Sequence, residues 1–82
     1  MGRVEKEMMD AVWHLMDAGA DSVTEEEILD AVVPREHPEY RFQAAYVYGV
    51  ERLLRRNWLT PLRRDGQRRY RPTRPRSAAD AG

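Results

Sequence analysis

The side chains in this sequence best suited to a specific chemistry are guanidinium groups, and they crowd late in the chain. Arg63, Arg64, Arg68 and Arg69 flank Asp65-Gly66, with Arg52, Arg55, Arg56 and Arg71 close on either side. Arginine stays charged at physiological pH and presents its donors in a planar fork, which matches phosphate oxygens and the base edges of a duplex. Up to Glu51, four basic residues stand against twelve acidic ones, a net charge of −8; beyond it, ten arginines stand against two acids, a net charge of +8. The formal total of zero hides this separation. It implies a basic face for a polyanion and an acidic remainder turned away from it.

Other chemistries find little to work with. The chain has no cysteine, so neither a disulfide nor a thiolate zinc site is available. His14 and His37 lie in separate segments with no second ligand at metal spacing. Glu25, Glu26 and Glu27 are consecutive, so on a helix they point in different directions and read as favourable acids of a first turn. There is no glycine-rich phosphate loop and no Ser/His/Asp spacing of a hydrolase, so no enzyme, metal or cofactor is expected. Eighty-two residues allow one small domain, whose limited core a dimer interface would supplement. No apolar run approaches a membrane span, and the opening Met-Gly-Arg-Val-Glu-Lys-Glu has no signal-peptide core, so a cytoplasmic protein without membrane contact is expected.

The positioning elements follow from periodicity and local stop signals. Met8, Val12, Leu15 and Met16, with Met9 and Trp13 beside them, give a first helix over 4–18 that Gly19 ends. Ser22-Val23 is placed to form a short extra strand. Thr24 and Glu27 form a capping box, which starts a second helix at Glu25; Ile28, Leu29, Val32 and Val33 are its apolar side, and Pro34 closes it. After a turn containing Pro38, Tyr46, Val50, Leu53 and Leu54 define the inner stripe of a third helix, Tyr40 to Arg56, stopped by Asn57. Gly49 costs that helix about 1 kcal/mol relative to alanine, which suggests close packing against a neighbour. Two strands, Trp58 to Arg64 and Gln67 to Arg71, then flank Asp65-Gly66, a pair suited to a type I′ turn; Pro61 marks an edge strand. Thr73 to Gly82 carries nothing large to bury and reads as a flexible basic tail.

A helix running into a basic hairpin is the layout of a winged helix-turn-helix. The expected fold is therefore α+β, mainly α, with three helices and a wing of two or three β-strands over residues 1–72 and the tail over 73–82. On such a fold the third helix enters the major groove of double-stranded DNA. Arg41 and Gln43 are long enough to reach base edges, Ala44 and Val47 suit a thymine methyl, and Tyr48 suits either a duplex or a protein interface. Arg52 and Arg55 are expected on phosphates, and Arg64, Arg68 and Arg69 on phosphates or in the minor groove.

These residues resemble the penicillinase and methicillin-resistance repressor family of bacterial winged-helix regulators. Glu5, Met8, Met9, Val12 and Trp13 are similar to the family's first helix, and Ser22-Val23 with Ile28 and Leu29 to the entry of its second. Val50, Arg52, Leu53, Asn57, Trp58 and Leu59 resemble the end of its recognition helix, and Gly66, Arg68, Arg69, Tyr70 and Pro72 its wing. The resemblance implies a DNA-binding transcriptional repressor. Phe42-Gln43-Ala44-Ala45 stands where the family has Tyr-Thr-Thr, so its operator sequence does not carry over. Nothing after Arg76 matches its dimerisation helices, which leaves a homodimer to the first helix or to Tyr46 and Tyr48. A phenolic-acid-responsive regulator family has a similar helix and wing. The alternative function is a winged-helix module that binds protein rather than DNA.

Overall fold

The computed structural model describes residues 1–80. Its order is α1 (Arg3–Asp17), α2 (Glu25–Val32), a 3₁₀ turn (Pro38–Phe42), α3 (Ala44–Val47), α4 (Gly49–Arg55), β1 (Leu59–Arg64), β2 (Gln67–Pro72) and α5 (Arg76–Asp80). The fold is α+β and mainly helical, with one two-stranded antiparallel sheet. Among the described residues no helix is long and apolar enough to cross a membrane.

Local chemistry sets most of the boundaries. Gly19, at φ 115°, ends α1: its N–H donates to the Met16 carbonyl, and the Ala20 N–H donates to that of Leu15. The same paired pattern ends α4, where Asn57 at φ 62° donates to Leu54 and Trp58 to Leu53. At the start of α2 both halves of the capping box form: the Glu27 N–H donates to Thr24 Oγ1 at 3.1 Å, and the Thr24 N–H donates to Glu27 Oε1 at 3.0 Å. Asp65 and Gly66 have φ of 53° and 78°, as the tight turn between β1 and β2 requires.

The apolar stripes of these elements meet in one core. Met8, Met9, Val12 and Trp13 of α1 pack with Ile28 of α2, Val50 and Leu53 of α4, and Val23, Leu59 and Tyr70. Val23 joins β2 through a single bridge, its N–H and carbonyl both bonded to the Tyr70 backbone at 2.8 and 2.7 Å. A single bridge at Val23 stands where the short extra strand was expected at Ser22-Val23, so the sheet itself has two strands, with β1 and its Pro61 on the side of β2 away from Val23. Gly49 packs against α1 so closely that a Cβ there would lie 2.2 Å from Met8 Sδ.

Two expectations need correction. The single third helix from Tyr40 to Arg56 is three pieces: the 3₁₀ turn, α3, and α4, with the break at Tyr48 (φ −96°, ψ 0°). Tyr46, Val47, Tyr48, Gly49 and Val50 are consecutive poor helix formers, and the glycine sits where α1 comes nearest. Secondly, residues 73–80 do not run free. Trp13 Nε1 donates to the Arg74 carbonyl at 3.0 Å, the Thr73 N–H donates to the Trp58 carbonyl at 2.9 Å, and α5 brings Ala79 against the core. Residues 81 and 82, the rest of the expected tail, lie outside the described residues.

Candidate nucleic-acid interface

Where the chain folds back on itself decides which arginines remain available. Glu5 is buried in α1, its side chain 6% exposed, and holds two of them: Arg52 Nε at 3.3 Å and Arg56 Nη1 at 3.0 Å. Arg52 also donates from Nη2 to the Ala45 carbonyl at 3.0 Å, an acceptor that an unbroken helix would satisfy with the Gly49 N–H. Arg52 is therefore a brace between α1 and the interrupted third helix. Arg69 is similarly committed. Its Nε donates to Ser22 Oγ at 2.7 Å, Nη2 to the Ser22 carbonyl at 2.9 Å, and Nη2 lies 3.4 Å from Glu27 Oε1.

Three further arginines assigned to the site are paired nearer the surface. Arg64 meets both carboxylate oxygens of Asp21, at 2.9 and 2.7 Å. The Arg64 guanidinium holds the Asp21 carboxyl below its ordinary pKa of 3.8, the hydrogen bond contributing more than the charge. Arg55 lies 2.6 Å from Glu51 one turn earlier, and Arg41 is paired with Asp30 and within 4.0 Å of Glu26. The charge separation along the sequence thus closes largely upon itself in space, acids of the first half binding arginines of the second.

What stays available is a narrower surface. Gln43, Ala44, Val47 and Tyr48 are all exposed. Ala44, Val47 and Tyr48 are three and four residues apart, which puts them on one side of α3. Tyr46, Val50 and Leu53 turn the opposite way, with Val50 and Leu53 buried. Beside this face stands the hairpin tip. In the register of the sheet Arg63 is directly opposite Arg68, so both side chains leave the same face as Tyr70. Neither forms a salt bridge with a described residue. Arg63 makes only a 3.4 Å contact with the Gly66 carbonyl, and the Arg68 guanidinium lies 5.6 Å from the centre of the Tyr70 ring. Arg68 and Val47 line a common groove, so the tip and the outer side of α3 share one surface.

Of the ten residues assigned from sequence, the fold brings Gln43, Ala44, Val47, Tyr48 and Arg68 to this surface unpaired with carboxylates. It brings Arg41 to the groove edge already bound to acids, and ties Arg52 and Arg69 into the framework. Arg63, read from sequence as part of the basic cluster at the hairpin tip, stands opposite Arg68 in the sheet; Phe42, 81% exposed, was not assigned to the site and had no signal beyond its place before Gln43. No family model, curated protein or solved structure matches the chain.

Proposed function

We propose that this chain is a winged helix-turn-helix regulator that binds double-stranded DNA and represses transcription by occluding a promoter. In this reading α3 offers Gln43, Ala44, Val47 and Tyr48 to the major groove, and the hairpin is a wing whose Arg63 and Arg68 reach phosphates or the adjacent minor groove. The observation that carries the proposal is the cross-strand pair Arg63 and Arg68. Like charges directly opposite on a sheet destabilise it, and here neither arginine forms a salt bridge with a described residue, although Glu25, Glu26 and Glu51 line the grooves that Arg68 borders and acids hold Arg64 and Arg69 beside them. A phosphate between the two guanidinium groups relieves that repulsion.

A second reading, a protein-interaction module, draws on the aromatic and aliphatic exposure at Tyr40, Phe42, Val47 and Tyr48 and on the internal neutralisation of many arginines. Selection from a randomised duplex library separates the two. The regulator reading expects retained and enriched sequences, with a palindrome if the chain acts as a two-fold dimer. A library that is not retained at low salt removes the DNA reading and leaves the module.

A further inference from the structure

We infer that Arg52 is a positioning residue for base reading: it links α3 to the buried carboxylate of α1, and so fixes the angle at which Gln43, Ala44, Val47 and Tyr48 meet a duplex, without itself touching DNA. The inference rests on the DNA-binding reading and adds to it a residue on which selectivity depends.

α3 has little of its own to hold it. It is four residues long, none of them buried, and Gln43 at its N-cap gives no side-chain bond. A helix so short is marginal by itself. At its far end the chain breaks at Tyr48 before α4 begins, and only the half-buried Ala45 and Tyr46 give it a footing. Its orientation is therefore set by what reaches it across the fold.

Arg52 supplies a directional link. From α4, its Nη2 donates to the Ala45 carbonyl at 3.0 Å, within α3, while its Nε lies 3.3 Å from Glu5 Oε1. The Glu5 side chain is 6% exposed and belongs to α1, the helix that contributes Met8, Met9, Val12 and Trp13 to the core. A planar guanidinium holds two such bonds in one fixed geometry, which a flexible ammonium does not. One side chain thus joins a buried carboxylate to the backbone of the segment that reads bases. Arg56 Nη1 holds the other oxygen of Glu5 at 3.0 Å, so the carboxylate keeps a partner when Arg52 is replaced. Tilting α3 misplaces contacts to base edges, whereas the pull of Arg63 and Arg68 on phosphates carries no sequence information to lose.

The test uses the duplex that the unaltered protein enriches most from a randomised library, and a scrambled duplex of the same length and composition. Both are titrated over a range of salt against the full chain and against Arg52→Lys and Arg52→Leu. Arg52→Lys keeps the charge but offers one nitrogen where Arg52 uses two; Arg52→Leu removes both bonds. The expected result in each variant is a ratio of the two affinities lower by about tenfold, the worth of one well-placed base contact. The scrambled duplex should bind as before, and the slope of log affinity against log salt should not change. Urea denaturation checks that the variants are folded, and if Arg52→Leu is not, Arg52→Lys decides. An unchanged ratio overturns the inference, and so does an equal loss for both duplexes. A slope shallower by about 1 in Arg52→Leu alone also overturns it, because Arg52 is then a phosphate contact. An unaltered protein that prefers no duplex overturns the DNA reading along with it.

Discussion

At the scale of single residues, ion pairs divide the arginines into those that hold the fold together and those left for a ligand. Glu5 is the clearest case of the first kind, because a buried carboxylate that loses its partners, or two guanidinium groups that lose their carboxylate, leave charge uncompensated. Glu5→Gln is expected to lower stability by about 2 kcal/mol, short of the value for a fully buried pair because Arg52 and Arg56 are partly exposed, and urea denaturation measures it. Asp21 makes a gentler prediction. Its carboxyl is held below 3.8 by Arg64, so the stability it contributes is present above its unfolded pKa and is lost as pH falls through the lower folded value. In an NMR titration the Asp21 midpoint should lie below 3.8 and return toward it in Arg64→Ala. None of these pairings was legible from the sequence. Glu5 meets Arg56 across 51 positions and Asp21 meets Arg64 across 43, and no periodicity or spacing rule reaches so far.

At the scale of elements, what was legible is what is decided locally. The Thr24 to Glu27 capping box, the stops at Gly19 and Asn57, and the Asp65-Gly66 turn each depend on residues within one turn of chain, and each stands where composition places it. The break at Tyr48 was not legible, because the apolar stripe of Tyr46, Val50 and Leu53 keeps its phase across it. Tertiary contact adds to the run of poor helix formers there: the Met8 side chain of α1 occupies the space that a Cβ at Gly49 would need. Gly49→Ala should therefore destabilise by about 1–3 kcal/mol through overpacking, in spite of alanine's better helix propensity. Combining it with Met8→Ala should give less than the sum of the two single losses, since the second change makes room for the first. The C-terminal segment was misread for a related reason. Its anchors are a backbone carbonyl on Trp13 and the Arg74 guanidinium 4.5 Å from the centre of the Trp58 ring, neither of which leaves a hydrophobic pattern. Truncation after Pro72 should accordingly expose Trp13 and shift tryptophan fluorescence to the red.

Over the whole molecule, the opposed charges of the two halves do not make two faces. Acids from α1 and α2 and the segment between them bind arginines of α4 and the hairpin, leaving a small cationic tip beside the exposed side of α3. Under the proposed DNA-binding function, such a surface attracts a duplex through few phosphates and leaves selectivity to contacts along α3. The outer side of α1 carries exposed Lys6, Asp10, His14 and Asp17, a polar surface with little to bury against a second copy. The central claim is that Arg63 and Arg68 meet phosphates, and the salt dependence of duplex binding tests it most directly. In the unaltered protein the logarithm of affinity should fall linearly with the logarithm of salt concentration, and Arg63→Ala, Arg68→Ala should make that slope shallower by about 2 as two counterions fewer are released. An unchanged slope in the double variant would contradict the account.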